Sequence, residues 1–188
     1  AELQAECAKL FKISPDETLK AAQELYEKKL TTYPRTDARV LTTAVAKEIT
    51  KNLNRLKSYE PTKAYTERIL SEGMYRNLAK SQYTNDSKVT DHYAIIPTGQ
   101  TGNLSSVTEL QKSVYDLIVR FLSVFYPPAE YQNVKLEVAV DTETLFASAK
   151  TLKSAGYLEI AGRKKEDEEN KGLIELSASL QKGDVLPV

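Results

Sequence analysis

The sequence predicts an α+β fold, with a mainly helical N-terminal part followed by a β-rich C-terminal segment. Up to about residue 130, apolar residues recur at steps of three and four, as on one face of a helix. In NVKLEVAVD, residues 133–141, apolar residues instead alternate with others, as in a strand with one buried face. We therefore expect a helical domain over residues 1–130 and a β-rich segment over residues 131–188.

Four helices are expected in the first part of the chain. The second has the clearest start, because Ser14 can cap it, Pro15 suits its first position and Glu17 completes a capping box. It must end before Pro34, since a proline disfavours helical geometry in the residue before it. The other three are expected over residues 2–12, 38–56 and 62–73.

A polar, turn-rich segment follows, and the period then changes. Residues 77–106 are expected to be mostly loop. Ser106 and Glu109 then form a capping box that starts a fifth helix, and this helix ends at Pro127 and Pro128. Beyond the first strand, further strands are expected over residues 144–160 and 172–188, with a charged loop over residues 163–170 between them.

The composition excludes several classes of protein. Lys plus Arg and Asp plus Glu both number 26, so the net charge neither favours nor excludes a nucleic-acid partner. Cys7 is the only cysteine, which excludes an intrachain disulfide and suits a reducing compartment. No apolar run approaches the roughly 18 residues that a membrane span requires. The chain starts without a methionine, so we expect it to be a piece of a longer protein.

The stretch KKLTTYPRTDARVL, residues 28–41, allows two interpretations. Tyr33 could pack over Pro34 while Thr36 and Asp37 cap the next helix, and spacing alone favours this capped turn. Alternatively, the phenol could be a nucleophile beside arginines, since guanidiniums stabilise an anionic neighbour and bind phosphate oxygens. The pattern of residues by itself leaves both open.

Other polar residues give weaker signals. His92 is the sole histidine, and a lone histidine is more often structural than catalytic. Gln23 and Glu27 are four residues apart and share one helix face, which could be solvated or could form a polar wall of a site. A metal site would need ligands that this chain does not supply with His or Cys.

Three segments resemble the type IA DNA topoisomerases, and most closely the topoisomerase III subgroup. They are TLKAAQELYEKKLTTYPRTDARVL (residues 18–41), DHYAIIPT (91–98) and VYDLIVRFLSVFYPPA (114–129). The first two correspond, in order and separation, to the family's active-site tyrosine motif and its His-x-Ala-Ile-x-Pro-Thr motif. The resemblance therefore favours a reactive Tyr33 over the capped turn.

The resemblance implies a role for each matching residue. Tyr33 corresponds to the nucleophile that becomes linked to a DNA 5′ phosphate, Arg35 to the cation that steadies the phosphate and the phenolate, and His92 to a histidine that contacts the DNA backbone. Further polar positions that line the family's site correspond to Gln23, Glu27, Thr32, Thr36, Asp37 and Arg39. The chain departs from the pattern at Ala38, where serine or cysteine is usual, and at Tyr93, where the subgroup often has a second histidine.

The resemblance also implies what this chain lacks. The family's acidic metal-binding domain has no counterpart here, so Mg²⁺ is expected only in the intact enzyme and no metal ligand is assigned in this chain. We expect a monomeric fragment, inactive alone, of a bacterial enzyme that acts on single-stranded DNA in the cytoplasm at the nucleoid. No membrane partner is expected, and protein partners are left unassigned. The alternative is a non-catalytic helical module that binds DNA or another protein.

Overall fold

A computed structural model describes residues 1–140, 142–162, 175 and 179–185. The chain separates into two compact units, Ala1–Tyr126 and Pro127–Val188. The first contains α1 (Glu2–Phe11), α2 (Pro15–Glu27), α3 (Thr43–Leu56), α4 (Lys63–Ser71) and α5 (Glu109–Val119), and the second contains β1 (Glu130–Val140), β2 (Glu143–Ser154) and α6 (Leu158–Ala161). Short 3₁₀ helices lie at Glu60–Thr62, Met74–Lys80, Asp86–Lys88, Leu104–Ser106 and Arg120–Phe125.

α2 begins as the sequence predicts. The Glu17 N–H donates to Ser14 Oγ (3.2 Å), and the Ser14 N–H donates to Glu17 Oε2 (2.8 Å), which completes the capping box. These bonds satisfy two of the backbone donors that every helix start leaves unpaired. The prediction of α1 is also confirmed, to within a residue at its C-terminal end.

The end of α2 is a Schellman turn formed without glycine. Lys29 has a φ of 62°, in the left-handed region. Its N–H donates to the Tyr26 carbonyl (2.8 Å), and the Leu30 N–H donates to the Leu25 carbonyl (2.9 Å). Leu25 and Leu30 are both fully buried. This turn ends the helix at Glu27 and directs the chain into the stretch that carries Tyr33.

α3 begins at Thr43 rather than at the predicted Ala38. The Leu41 N–H donates to the Tyr83 carbonyl (2.9 Å), and the Leu41 carbonyl accepts from the Asn85 N–H (3.0 Å). Because these bonds hold Leu41 in pairing with a distant segment, the chain before α3 is not helical. The predicted start was wrong because periodicity does not report such long-range pairing.

The predicted capping box of α5 was also misplaced. The box is formed by Thr108 and Gln111, and α5 starts at Glu109. Ser106 is instead the last residue of a 3₁₀ helix, and its carbonyl accepts from Lys28 Nζ (2.8 Å).

The core of the first unit forms where α2 packs against α1 and α5, and α3 packs against α4. A side-chain bond from Gln111 to Glu24 also joins α5 to α2. The side chains that are almost completely buried are Leu25, Leu30, Leu41, Ile49, Leu53, Leu56, Ile69, Ile96, Val114, Tyr115, Val119 and Leu122.

In the second unit, β1 and β2 form an antiparallel pair in which Val134 lies opposite Ala149 and Leu136 opposite Ala147. Val134, Leu136 and Val138 are less exposed than the residues between them, as the alternation predicted. Val140, predicted on the same face, is instead 50% exposed, because it lies at the end of the strand. The helical N-terminal part and this antiparallel pair confirm the predicted α+β class.

The remaining strand predictions had mixed outcomes. The strand predicted over residues 144–160 ends at Ser154, and α6 follows it. The predicted loop over residues 163–170 lies outside the described residues, as does most of the strand predicted over 172–188. Within that last range, Glu175 and Ser179 are helical rather than extended.

Candidate active site

Two segments distant in sequence are paired along the backbone. They are the tyrosine loop, residues 31–41, and the histidine segment, residues 91–98. Three backbone hydrogen bonds, each 3.0 Å long, join the two segments or the residues directly beside them. The donors and acceptors are Thr32 N–H to the Ile96 carbonyl, Thr98 N–H to the Leu30 carbonyl, and Ala94 N–H to the Val40 carbonyl. The pairing at both ends of the tyrosine loop fixes the backbone on either side of Tyr33.

Two of the predicted site residues reinforce this pairing with their hydroxyl groups. Thr32 Oγ1 donates to the Ala94 carbonyl (3.1 Å) and accepts from the Ile96 N–H (2.9 Å). Thr36 Oγ1 donates to the His92 carbonyl (2.6 Å). Both threonines therefore hold the histidine segment against the tyrosine loop.

The ring of Tyr33 lies between two other rings. The centroid of the His92 ring is 4.4 Å away at a tilt of 46°, and that of the Tyr26 ring is 5.2 Å away in an edge arrangement. Tyr33 itself is partly buried. The structure thus brings together the tyrosine and the histidine that the sequence singled out.

Gln23 and Glu27 lie on the last turns of α2, the helix that carries Tyr26. Gln23 Nε2 donates to Glu27 Oε1 (3.1 Å), as expected for residues four apart on one helix face. The spacing of the apolar residues in α2 predicts Tyr26 on the same face as Ala22 and Leu25, which are buried, but Tyr26 is 40% exposed. Sequence reasoning missed Tyr26 because it followed the apolar face of α2 and not the geometry of the turn beyond it.

The predicted charged residues surround a neighbouring cavity. Arg35 and Asp37 are exposed and line an open cavity of about 690 Å³, together with residues from α1 and α2. Arg39 also lines it and forms an ion pair with Glu2 (2.8 Å). Tyr33 is not among the lining residues, and within the described residues no hydrogen bond or ion pair joins Arg35 to Tyr33.

The end of the histidine segment is fixed to α3. Asn52 Nδ2 donates to the Pro97 carbonyl (3.0 Å). Gly99 has a φ of 85°, and a Cβ added there would lie 2.4 Å from the Asn52 carbonyl oxygen and 2.7 Å from the Arg55 Cβ. Only glycine suits this close approach at positive φ. The histidine segment is therefore anchored both to the tyrosine loop and to α3.

The chemistry of the site comes from phenol, imidazole, guanidinium and hydroxyl groups. Burial raises the pKa of Tyr93, next to His92, and keeps that phenol neutral. In the part of the chain that the structure describes, no three His, Cys, Asp or Glu side chains are grouped so as to hold a metal ion. These residues therefore do not fit a magnesium site.

The comparison with known proteins identifies the family. A family model described as DNA topoisomerase matches residues 1–188. The chain therefore belongs to the DNA topoisomerase family, in its type IA class, as predicted. The relatives place it in the topoisomerase III subgroup: the chain is 38% identical over 189 residues to DNA topoisomerase 3 of Bacillus licheniformis and 38% identical over 190 residues to that of Bacillus subtilis.

A third relative, DNA topoisomerase 3 of Bacillus cereus, is 36% identical over 193 residues. In all three comparisons the match covers 100% of this chain but only 25% to 26% of the relative. The chain thus spans about a quarter of the length of these proteins. Among the described residues, no helix is both long and apolar enough to cross a membrane.

Proposed function

We propose that this chain supplies the nucleophile of a type IA topoisomerase, and that the nucleophile is Tyr33. The intact enzyme would cut one DNA strand, hold its 5′ end on Tyr33, pass another strand through the gap and reseal the cut. The observation that carries this proposal is the placement of Tyr33 beside His92 in a loop paired along its backbone with the histidine segment. Such pre-organisation is what a positioned nucleophile requires.

The proposed reaction is a transesterification. The bond from Tyr33 Oη to phosphorus forms while the bond from phosphorus to the DNA 3′ oxygen breaks. The phenol loses its proton and the 3′ oxygen gains one, so that charge balances across the step. One phosphodiester replaces another, and resealing therefore needs no nucleotide hydrolysis.

We assign the remaining predicted residues to supporting roles. Arg35, exposed beside Asp37 at the cavity, would bind the phosphate and stabilise the phenolate when DNA is present. His92, whose ring contacts Tyr33, would bind the DNA backbone next to the cleaved bond. Gln23 and Glu27 would form a polar wall on α2, and Arg39 would contribute through the cavity that it shares with Arg35.

We assign Mg²⁺ and the proton donor for the leaving 3′ oxygen to parts of the longer enzyme outside this chain. The described residues do not group the ligands that a metal ion needs. The 188-residue chain alone is therefore expected neither to nick nor to relax DNA, with or without Mg²⁺. On this proposal the substrate is single-stranded DNA, and the enzyme works in the cytoplasm at the nucleoid.

The test is Tyr33→Phe in the full-length enzyme. We expect this variant to form no covalent adduct on a single-stranded oligonucleotide while binding it with an affinity close to that of the wild type, because only the attacking oxygen is removed. The adduct is detected on a denaturing gel with 3′-labelled DNA, since a 5′-phosphotyrosine bond keeps the 3′ label on the protein.

Tyr83→Phe is the matched control, because Tyr83 is a partly exposed tyrosine of the same unit that has no ring contact with Tyr33. It should form adducts at the wild-type rate. Adducts that persist in Tyr33→Phe would assign the nucleophile elsewhere, and adducts that carry a 5′ label in place of the 3′ label would contradict the proposed polarity.

A further inference from the structure

The ring of Tyr26 lies in the last turn of α2, against the ring of Tyr33. The two centroids are 5.2 Å apart with the planes at 79°, and the His92 ring lies 4.4 Å from Tyr33. Rings at these distances and angles attract each other through their edges and faces. Tyr33 is thus in contact with an aromatic ring from α2 and with another from the histidine segment.

Packing in the hydrophobic core does not account for the presence of a tyrosine at position 26. It is 40% exposed, whereas its neighbour Leu25 is fully buried. Among the described residues, no hydrogen bond of the Tyr26 hydroxyl is present. What remains is the contact of its ring with Tyr33.

The backbone fixes Tyr26 relative to the tyrosine loop. The Tyr26 carbonyl accepts from the Lys29 N–H (2.8 Å) in the turn that ends α2. Only a few residues further on, the Thr32 N–H is bonded to the Ile96 carbonyl (3.0 Å). Because both ends of this short connection are bonded, the backbone holds Tyr26 next to the tyrosine loop, where its ring contacts that of Tyr33.

We propose that Tyr26 is a positioning residue for the nucleophile, an inference that rests on the function proposed for Tyr33. Its ring restricts the rotation of the Tyr33 side chain and so keeps the phenol oxygen in the orientation that attack on phosphorus requires. The ring is the active part of Tyr26, and its hydroxyl is dispensable.

The experiment compares Tyr26→Ala and Tyr26→Phe in the full-length enzyme. Single-turnover adduct formation on a 3′-labelled single strand gives the cleavage rate, and fluorescence anisotropy gives the dissociation constant for DNA. For Tyr26→Ala we expect cleavage to slow roughly 3- to 10-fold, the effect of freeing one side chain's rotamers. The dissociation constant should stay within about twofold of the wild-type value. The melting temperature should stay within about 2 °C of the wild type, because Tyr26 is partly exposed. Tyr26→Phe should restore the rate.

Tyr83→Ala is the control for removal of a tyrosine of similar exposure, at 37% against 40% for Tyr26. It should cleave at the wild-type rate. Three results would overturn the proposal: wild-type cleavage by Tyr26→Ala, equal slowing in Tyr26→Ala and Tyr26→Phe, or equal slowing in Tyr83→Ala. Tyr26→Leu, which keeps apolar bulk, provides a stable alternative should Tyr26→Ala unfold, and it should also slow cleavage.

The two proposals fail in different ways. If Tyr33 is not the nucleophile, Tyr33→Phe still forms adducts, whatever the Tyr26 variants do. If Tyr33 is the nucleophile but Tyr26 does not position it, Tyr33→Phe forms none while Tyr26→Ala cleaves at the wild-type rate. The same gel reports both results.

Discussion

Thr31 and Thr32 are neighbours in the tyrosine loop with opposite roles. Thr32 Oγ1 makes two hydrogen bonds to the histidine segment, at Ala94 and Ile96. Thr31 Oγ1 is buried and has no partner among the described residues. An unpaired buried hydroxyl destabilises a protein, whereas a paired one contributes to its stability.

Thr32→Val should therefore lower the free energy of unfolding by about 1–3 kcal/mol, since it leaves the Ile96 N–H without its acceptor. Under the proposed function it should also slow adduct formation, because the loop that presents Tyr33 loosens. Urea unfolding of the chain and the adduct assay with the full-length enzyme measure the two effects.

The matched control is Thr31→Val, which should leave stability unchanged or raise it by about 1 kcal/mol. Thr32→Ser keeps the hydroxyl and should behave more like the wild type than Thr32→Val does. Equal losses in Thr31→Val and Thr32→Val would show that the Thr32 hydrogen bonds contribute nothing specific.

At the scale of an element, the end of α2 is held in a conformation that suits glycine better than lysine. Lys29 has a φ of 62°, whereas Lys28, the helix cap before it, has a φ of −78°. The left-handed region costs a residue with a Cβ about 1–2 kcal/mol, part of which is offset because glycine is more flexible when unfolded.

Lys29→Gly should accordingly raise the free energy of unfolding by roughly 0.5–1 kcal/mol, and the melting temperature by about 1–4 °C. Lys28→Gly removes the same charge at an ordinary backbone position, together with the hydrogen bond from Lys28 Nζ to Ser106, and should destabilise the chain. Differential scanning calorimetry of the two variants makes the comparison. A lower melting temperature for Lys29→Gly would mean that the Lys29 side chain stabilises the fold by contacts of its own.

The elements that sequence reasoning predicted well are those set by local rules. The start of α2 depends on a capping box within four residues, and the alternation in β1 depends on the pleat alone. The start of α3 was misplaced because Leu41 bonds to residues far away in sequence. The start of α5 was misplaced although a local rule sets it, since the capping box is formed by Thr108 and Gln111 and not by Ser106 and Glu109.

The candidate site shows the same limit. The resemblance pointed to Tyr33 and His92, but no periodicity shows that their rings lie 4.4 Å apart. Spacing also gave no indication that Arg39 would pair with Glu2 on α1. The positions of individual side chains depend on pairing between segments some sixty residues apart, which local patterns do not contain. The resemblance also implies that residues 1–130 form the domain that carries the active-site tyrosine and that residues 131–188 belong to the family's gate or arch domain. This assignment stays a prediction.

At the scale of the whole molecule, positive and negative charges balance. The chain has a net charge of zero, and Arg39 beside the cavity is already paired with Glu2. Any binding of DNA by this chain must therefore rely on a few local contacts rather than on an overall positive field.

We expect the 188-residue chain to bind a single-stranded oligonucleotide weakly, with an affinity that falls steeply as salt is raised. Each phosphate contact contributes a slope of about −0.7 in a plot of log affinity against log salt. Fluorescence anisotropy between about 50 and 200 mM salt measures the slope. Arg35→Gln should reduce the magnitude of this slope more than Arg39→Gln does, since Arg39 has an ionic partner. Tight binding that persists at several hundred millimolar salt would contradict this expectation.

Under the proposed function, the backbone pairing between the tyrosine loop and the histidine segment constrains how the two segments can move. Since Tyr33 and His92 belong to one hydrogen-bonded assembly that is also anchored to α3 through Pro97, we expect them to move as a single body. On the proposed chemistry, the imidazole would leave with the 5′ end when the break opens. The departing 3′ hydroxyl would remain with whatever protein lies on the far side of the gap, and the phenol and the imidazole would return to it together for resealing.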